Sequence, residues 1–346
     1  MGINKLWPTL EPCAINFRPS TIPNMTWLLD FSCMMRFMMG KHAVLYEFYE
    51  GRKDDNRSFR DECRQFLTGL FNVRVKPIVV FDGKRSAIKT EEGAKREKKK
   101  KKAQEELNEL QTAYHGDTDS RKTFLSLARD AIELSELFMS IAIQVCHELG
   151  VQFVGAPFEA DFQLIEEQLA IKEKNGSLPY ILTLDSDLLV LGDNIIRYEP
   201  KKFSNISVDT TFLLYTKKNM WGYMHKINKE KRGTDFVFNN VTWCLFACLI
   251  GNDYTKGATN MGFQKLLEKP KKKKKFSPMG EVADACKGDD GIDNAIQTAK
   301  NLIDDESKHD AFVQAVNVFL YAPVFRKKKV GDGPATRVAL VSLELK

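Results

Sequence analysis

An α/β fold with a mostly parallel central sheet flanked by helices is what this sequence predicts, on three observations. Four short apolar runs are continuous rather than alternating, as strands buried on both faces must be. Helical patterns separate them, as the crossovers between parallel strands require. Acidic residues stand where the runs end, on the edge where open α/β sheets place their ligands.

The strands are expected in "TWLLD" (26–30), "PIVVFD" (77–82), "VQFV" (151–154) and "YILTLD" (180–185). "SFRDECRQFLTGLFNV" reads as a helix leading into the second strand, and "AFVQAV" and the stretch 120–149 also carry helical spacing. Between the second and third strands lies an insertion of roughly 65 residues, too long for an ordinary crossover. Its first half is Lys-rich and then Glu-rich ("AQEELNELQ"), with a Gly-Asp turn at 116–117, so it reads as a projecting helical hairpin or lid.

With 346 residues, 43% of them hydrophobic, the chain can bury a sizeable core as one large domain or two. No apolar run reaches about 18 residues, so no membrane span is expected. "MGINKLWPTL" lacks the hydrophobic stretch of a signal peptide, and Leu6 stands where a myristoylation site wants Ser or Thr. The seven cysteines show no pairing pattern, which fits an intracellular, reducing location. Cys244 and Cys248 are expected on one core-facing helix face, because no second Cys/His pair accompanies them to hold zinc. The net charge of +6 is unevenly spread: Lys84 to Lys102 holds ten basic residues against three glutamates, and "KPKKKKK" occupies 269–275. Such clusters fit a polyanion partner, a solvated loop or a nuclear-import signal, and charge alone does not choose.

The acids carry more. Asp30 closes the first run and Asp82 the second; Glu159 and Asp161 follow the third in "GAPFEADFQL". Asp185 closes the fourth, with Asp187 beyond it in "ILTLDSDLLVLGD"; on an extended chain the two point to the same side. Singly each has a duller reading: a turn at Asp82-Gly83, a helix's first turn at Glu159, a cap at Asp185 or Asp187. Glu159 and Asp161 would diverge on a mid-helix, so they converge only in an irregular first turn after Pro157 or by serving two different ions. Jointly, six carboxylates on one sheet edge repel one another unless cations neutralise them. Oxygen ligands without His or Cys suit Mg²⁺, with Mn²⁺ as a substitute. A carboxylate site beside lysine-rich segments suits phosphodiester hydrolysis, with two ions activating water and stabilising the leaving oxygen while lysines hold the backbone.

Five blocks in order, "MGINKLW", "PIVVFDGKRSAIKTEEGAKR", "GVQFVGAPFEADFQL", "LTLDSDLLVLG" and "LIGNDYTKGATNMGFQKLL", resemble the structure-specific 5′ nucleases, the superfamily of flap endonuclease, exonuclease 1 and the excision-repair nuclease. The resemblance runs from residue 1 to about 326 and implies a PIN-like core with a helical arch and a helix–two-turn–helix element. It implies metal ligation by Asp30, Asp82, Glu159, Asp161, Asp185, Asp187 and Asp253, the last invisible to the strand-end argument. It implies that Lys89 and Arg96, seven and fourteen residues after Asp82, contact the scissile phosphate from one helix face two turns apart. Asp185 is counted with them as catalytic. Gly2 is expected near the active site through its backbone. Lys84, Arg85, Lys95, Gly262 and Lys265 are read as DNA contacts, and "GATNMGFQKLL" as the element that grips duplex and holds a monovalent cation.

Departures accompany the match. Asn260-Met261-Gly262 replaces the usual Gly-hydrophobic-Gly, and Arg36, followed by Phe37, stands where relatives stack an aromatic ring on a flipped base. The 269–275 run has no counterpart, and no sliding-clamp motif is evident. "APFEADFQL", "DSDLLVLG" and "NVFLYAPVF" lean toward exonuclease 1 over flap endonuclease. The expected division is a nuclease region 1–83, a basic arch 84–130, a second nuclease region 131–255, a DNA-gripping region 256–326 and a C-terminal segment 327–346, which returns to the core or is flexible. The expected protein is a monomer in the nucleus acting on DNA with 5′ ends, nicks, gaps or flaps. A catalytically silent scaffold is the rival reading. A phosphatase using a DxD nucleophile is a weaker one, since Leu189 stands where DxDxT needs its Thr.

Overall fold

A seven-stranded sheet runs through the molecule in the order β1-β7-β6-β5-β2-β3-β4. Its strands are β1 Ile15–Phe17, β2 Met25–Asp30, β3 Val75–Phe81, β4 Gln152–Gly155, β5 Tyr180–Thr183, β6 Ile195–Arg197 and β7 Phe212–Tyr215. The five from β2 to β6 are parallel, and β7 and β1 add an antiparallel edge. The computed structural model describes residues 2–3, 5–22, 24–49, 57–84, 89–113, 118–197, 206–232, 236–258, 263–267, 277–287, 290–329 and 336–343.

The continuous apolar runs serve two cores at once. Leu28, Ile78, Val80 and Ile181 face one side of the sheet, with helices Ala160–Asn175 and Asn240–Ile250. Trp27, Leu29, Val79 and Leu182 face the other, with helices Phe31–Met39, Arg57–Asn72 and Glu136–Glu148. Successive strand residues point to opposite faces, so a strand covered on both sides must be apolar throughout. Cys244 and Cys248 are both buried on helix Asn240–Ile250, as their spacing predicts.

The insertion is a helical hairpin, Thr90–Ala113 and Thr118–Ala131. It has its own small core of Ala103, Leu107, Phe124, Leu125 and Ala128 against Leu45. The stretch 120–149 is therefore two helices, not one. It breaks at 132–135, and the second helix, Glu136–Glu148, starts after the extended Ser135 and turns into the main core. The short strands β1, β6 and β7 were not anticipated. Nor was a second sheet, the hairpin β8 Pro323–Lys329 and β9 Thr336–Ser342. β8 runs across the expected division at 326/327 and docks on helix Ala160–Asn175. Gln163 brackets the Phe325 backbone at 2.7 and 2.8 Å, and Arg326 forks onto the buried Glu166 at 2.6 and 2.8 Å. Among the described residues no helix is long and apolar enough to cross a membrane.

Leu29→Ala, in the fully buried centre of β2, is expected to cost about 2–5 kcal/mol of stability, read from the denaturant midpoint at unchanged m-value.

Candidate functional site

Each strand-end acid is tied into the edge that delivers it. Asp30 ends β2 and caps helix Phe31–Met39: its Oδ1 accepts the Cys33 N–H at 3.2 Å and its Oδ2 accepts the Thr183 hydroxyl at 2.7 Å. The Thr183 hydroxyl in turn accepts the Asp185 N–H at 2.9 Å, lacing the ends of β2 and β5 together. Asp82 follows β3; its N–H donates to Ser32 Oγ at 2.9 Å and its Oδ1 accepts the Ala160 N–H at 2.8 Å. Glu159 is the N-cap residue of helix Ala160–Asn175 and Asp161 lies in its first turn, the irregular setting in which the pair can converge.

Asp185 and Asp187 correct the extended-chain reading. β5 ends at Thr183, and Asp187 is helical (φ −63°, ψ −32°) at the start of Leu188–Leu191. A tight turn, with the Asp187 N–H donating to Asp185 Oδ1 at 3.1 Å, keeps the two side chains together. Gly2 lies against this turn. Its φ is +83°, and a Cβ there would overlap the Asp185 carboxylate and stand 2.5 Å from Ser186 Oγ, so only glycine fits. Trp7 holds the segment in place through Nε1–H to the Leu184 carbonyl at 3.1 Å, and Ser186 Oγ donates to the Ile3 carbonyl at 3.1 Å. The Gly2 N–H reaches Asp253 Oδ1 at 3.4 Å.

A cavity of about 890 Å³ opens over this edge, between the sheet and the base of the helical hairpin. Asp30, Asp82, Glu159, Asp161, Asp185 and Asp253 line it, facing Arg36, Lys84, Lys89, Arg96 and Arg129. Asp187 is buried beside Asp185. Lys89 and Arg96 do not share a helix as expected: Lys89 precedes helix Thr90–Ala113, and Arg96 lies in its second turn. Both still reach the acids. Lys89 Nζ is 2.6 Å from Glu159 Oε2 and 3.8 Å from Asp253 Oδ2, and Arg96 Nη2 is 2.8 Å from Asp253 Oδ2. Lys95 is exposed on the hairpin and Lys265 on helix Phe263–Leu267, neither lining the cavity. Arg85, Gly262 with its Asn260-Met261 neighbours, and the 269–275 run lie outside the described residues. Tyr254 was missed: its hydroxyl donates to Glu159 Oε2 at 2.5 Å, and no composition or spacing signal marks it apart from its place beside Asp253 in "GNDY".

Burial dominates the electrostatics. It pushes Asp30 up from 3.8 to about 7, together with the neighbouring Asp82. Burial, then Asp185 and Asp30, holds Asp161 well above the ordinary carboxylate range, and burial followed by Asp185 does the same for Asp187. Asp185 is also raised by burial, against the opposing hydrogen bond from Asp187. Burial works against the charge of Lys89, but Glu159 and Asp161 outweigh it and raise its pKa. Among the described residues no three acids converge on one ready-made ion position. Glu159 and Asp253 are turned instead to Lys89 and Arg96. The donor set still fits hard divalent ions: it is all oxygen, and both carboxylate oxygens of Asp187 are buried without a hydrogen-bond partner.

A largely parallel sheet gathering carboxylates at its carboxyl edge, beneath a basic helical hairpin, defines an α/β core with an acidic cleft. Comparison with known proteins agrees. Residues 1–103 match the XPG N-terminal domain. Exonuclease 1 of Xenopus laevis is 26% identical over 94% of this chain and 39% of its own length, and DIN7, a DNA damage-inducible protein of Saccharomyces cerevisiae, is 25% identical over 82% and 59%. Flap endonuclease 1 of Nematostella vectensis is 29% identical over 44% of this chain and 40% of its own. The chain thus spans 39% to 59% of these relatives' own lengths. Human GEN1 bound to Holliday junction DNA shares the fold (TM-score 0.52, 16% identity, 95% of this chain and 68% of that one). So does the catalytic core of Rad2 with DNA substrate (TM-score 0.50, 16% identity, 92% and 80%). The chain therefore matches an XPG N-terminal domain over residues 1–103 and is similar, along most of its length, to nucleases of the exonuclease 1 type.

Because Asp30 binds its proton more tightly folded than unfolded, the ion-free fold is expected to lose stability as pH rises from about 4 through about 7. Melting in chelator should give a lower Tm at pH 8 than at pH 5. Added Mg²⁺ should raise the Tm by several degrees at pH 8 and by little at pH 5.

Proposed function

We propose that this chain is a metal-dependent 5′ nuclease that hydrolyses DNA phosphodiesters at single-strand/duplex junctions, working as a 5′→3′ exonuclease and flap endonuclease of the exonuclease 1 type. The observation that carries the reading is one cavity with six carboxylates along the sheet edge, faced by seven Lys or Arg residues from the opposite walls, among which acids such as Glu97 and Glu133 are interspersed. A module that only bound DNA would gain nothing from a buried anionic cluster facing phosphates.

Asp30, Asp82, Glu159, Asp161, Asp185, Asp187 and Asp253 would hold two Mg²⁺ ions, or Mn²⁺ in their place. The bound ions supply an activated water and Lewis-acid stabilisation of the leaving oxygen. The chain's own work is positioning. Lys89 and Arg96 release their carboxylates to take the scissile phosphate, meeting the charge that develops on it. Arg36, on the cavity wall, stacks its guanidinium on the unpaired base, and Lys84, Arg85 and Lys95 hold the strand beneath the arch (84–130). The region 256–326, through Gly262 and Lys265, grips the duplex and holds a monovalent cation, while 1–83 and 131–255 carry the nuclease core. Terminal nucleotides unpair, water adds in line to phosphorus, the P–O3′ bond breaks, and a 5′-phosphate and a 3′-hydroxyl remain. The role follows as DNA repair, recombination or replication, by a nuclear monomer.

The exonuclease branch is favoured over the flap branch because the likeness to Xenopus exonuclease 1 runs along 94% of this chain, against 44% and 56% for two flap endonucleases. End-labelled recessed, nicked, gapped and 5′-flap duplexes, incubated with Mg²⁺ and resolved to single nucleotides, test both. Stepwise mononucleotide release from recessed ends is expected; flap removal alone would move the protein to the flap branch. Binding without cleavage in either Mg²⁺ or Mn²⁺ would leave the silent scaffold. Asp185→Ala should bind the same DNA and cleave at least about 100-fold more slowly.

A further inference from the structure

Tyr254 sits where three remote segments of the chain meet. Its ring is 7% exposed and packs edge-on against Phe319 with centroids 5.7 Å apart. Asn252 fixes its backbone, with Oδ1 accepting the N–H groups of Tyr254 at 2.9 Å and Thr255 at 3.1 Å. The hydroxyl donates to Glu159 Oε2 at 2.5 Å, the same oxygen that Lys89 Nζ approaches at 2.6 Å. The Lys89 ammonium also lies 4.5 Å from the centre of the Tyr254 ring.

We propose that Tyr254 is a positioning residue with two separable handles, a hydroxyl that aims the Glu159 carboxylate and a ring face that keeps Lys89 at the cavity. The inference rests on the nuclease reading for the meaning of Glu159 and Lys89. A carboxylate aimed by a neutral donor keeps its orientation when its cationic partner leaves, whereas one held by Lys89 alone would swing free. An ammonium on an aromatic face keeps a favourable contact when its carboxylate turns to an ion, and its N–H donors stay available to a phosphate. One tyrosine thus allows Lys89 and Glu159 to separate without either being lost from the site.

The handles come apart by substitution in the full chain. Tyr254→Phe keeps the ring and removes the hydroxyl; Tyr254→Leu removes both. Titrating DNA-free protein with Mn²⁺ by calorimetry, Tyr254→Phe is expected to bind about tenfold more weakly than wild type at near-unchanged Tm. In single-turnover cleavage of a flap duplex, Tyr254→Leu should be slower than Tyr254→Phe, and the difference should vanish when Lys89 is also replaced by Ala. Wild-type Mn²⁺ affinity in Tyr254→Phe removes the hydroxyl's role. A Leu–Phe difference that persists undiminished without Lys89 removes the ring's role. If Tyr254→Leu does not fold, Tyr254→Met takes its place in the cleavage comparison for the ring, while the Tyr254→Phe titration decides the hydroxyl by itself. Wild-type protein that binds Mn²⁺ but cuts no DNA defeats the nuclease reading, while the titration still decides Tyr254. Wild-type protein that binds no Mn²⁺ overturns both.

Discussion

Asp30, Asp161, Asp185 and Asp187 are buried side by side at the end of one sheet, and their mutual repulsion is the constraint that the surrounding structure answers. Each neighbour lowers part of the cost. Thr183 and the Cys33 amide satisfy Asp30, the Asp187 amide satisfies Asp185, and the Ala160 amide satisfies Asp82. What remains is a group of acids that protein amides do not satisfy, held protonated in part by burial, most plainly at the two unpartnered oxygens of Asp187. A buried charge without partner or ion is among the costliest arrangements a fold can keep. Stability alone would have replaced these residues with apolar ones of similar size. Their presence is intelligible as the requirement of a site.

Parallel strands make that site possible, because they share a carboxyl edge and so bring residues 30, 82 and 185 together across more than 150 positions of sequence. This much could be read in advance. A strand covered on both faces writes itself as an unbroken apolar run, and the acid that ends the run is visible by contrast. Asp253 could not be found in that way, since a helix precedes it and Gly251 turns the chain with φ +99°. Nor could the break at 132–135: the spacing on either side is helical, and only the choice of two different cores separates the halves. The β8–β9 hairpin escaped notice because its basic first strand, "PVFRKKK", has no apolar alternation to mark it. Tyr254 was hidden for another reason. A tyrosine beside an aspartate says nothing until the fold places Glu159 against its hydroxyl.

Lys89 and Arg96 answer the same constraint from the other wall of the cavity. Lys89, Glu159 and Asp253 have side chains only 17%, 15% and 11% exposed, so these ion pairs are poorly screened and each partner needs the other. A site waiting for both cations and a polyanion can stay close to neutral by pairing its own charges meanwhile. If ions and phosphate then arrive together, the carboxylates exchange ammonium for metal and the ammonium groups exchange carboxylate for phosphate. Ions alone would separate Lys89 and Arg96 from Glu159 and Asp253 and so bind less tightly than with phosphate present, and DNA alone would leave Glu159 and Asp253 facing phosphates. On the proposed nuclease reading, charge balance would therefore couple the two binding events.

That coupling needs a hairpin which holds its cations over the acids without being welded to them. The arch has a core of its own around Leu107 and Phe124, so its two helices stay packed on each other independently of the sheet. Across the hairpin, Lys99 pairs with Asp130 at 2.7 Å and Lys100 with Glu133 at 2.6 Å, contacts that are largely solvent-exposed and individually weak. The charged ties that face the cavity are the Lys89 and Arg96 pairs themselves. The hairpin is thus held by two kinds of contact: Leu45, Tyr46 and Tyr49 pack against Phe124 whatever the cavity holds, while the Lys89 and Arg96 pairs are the ties that metal ions and phosphate would replace.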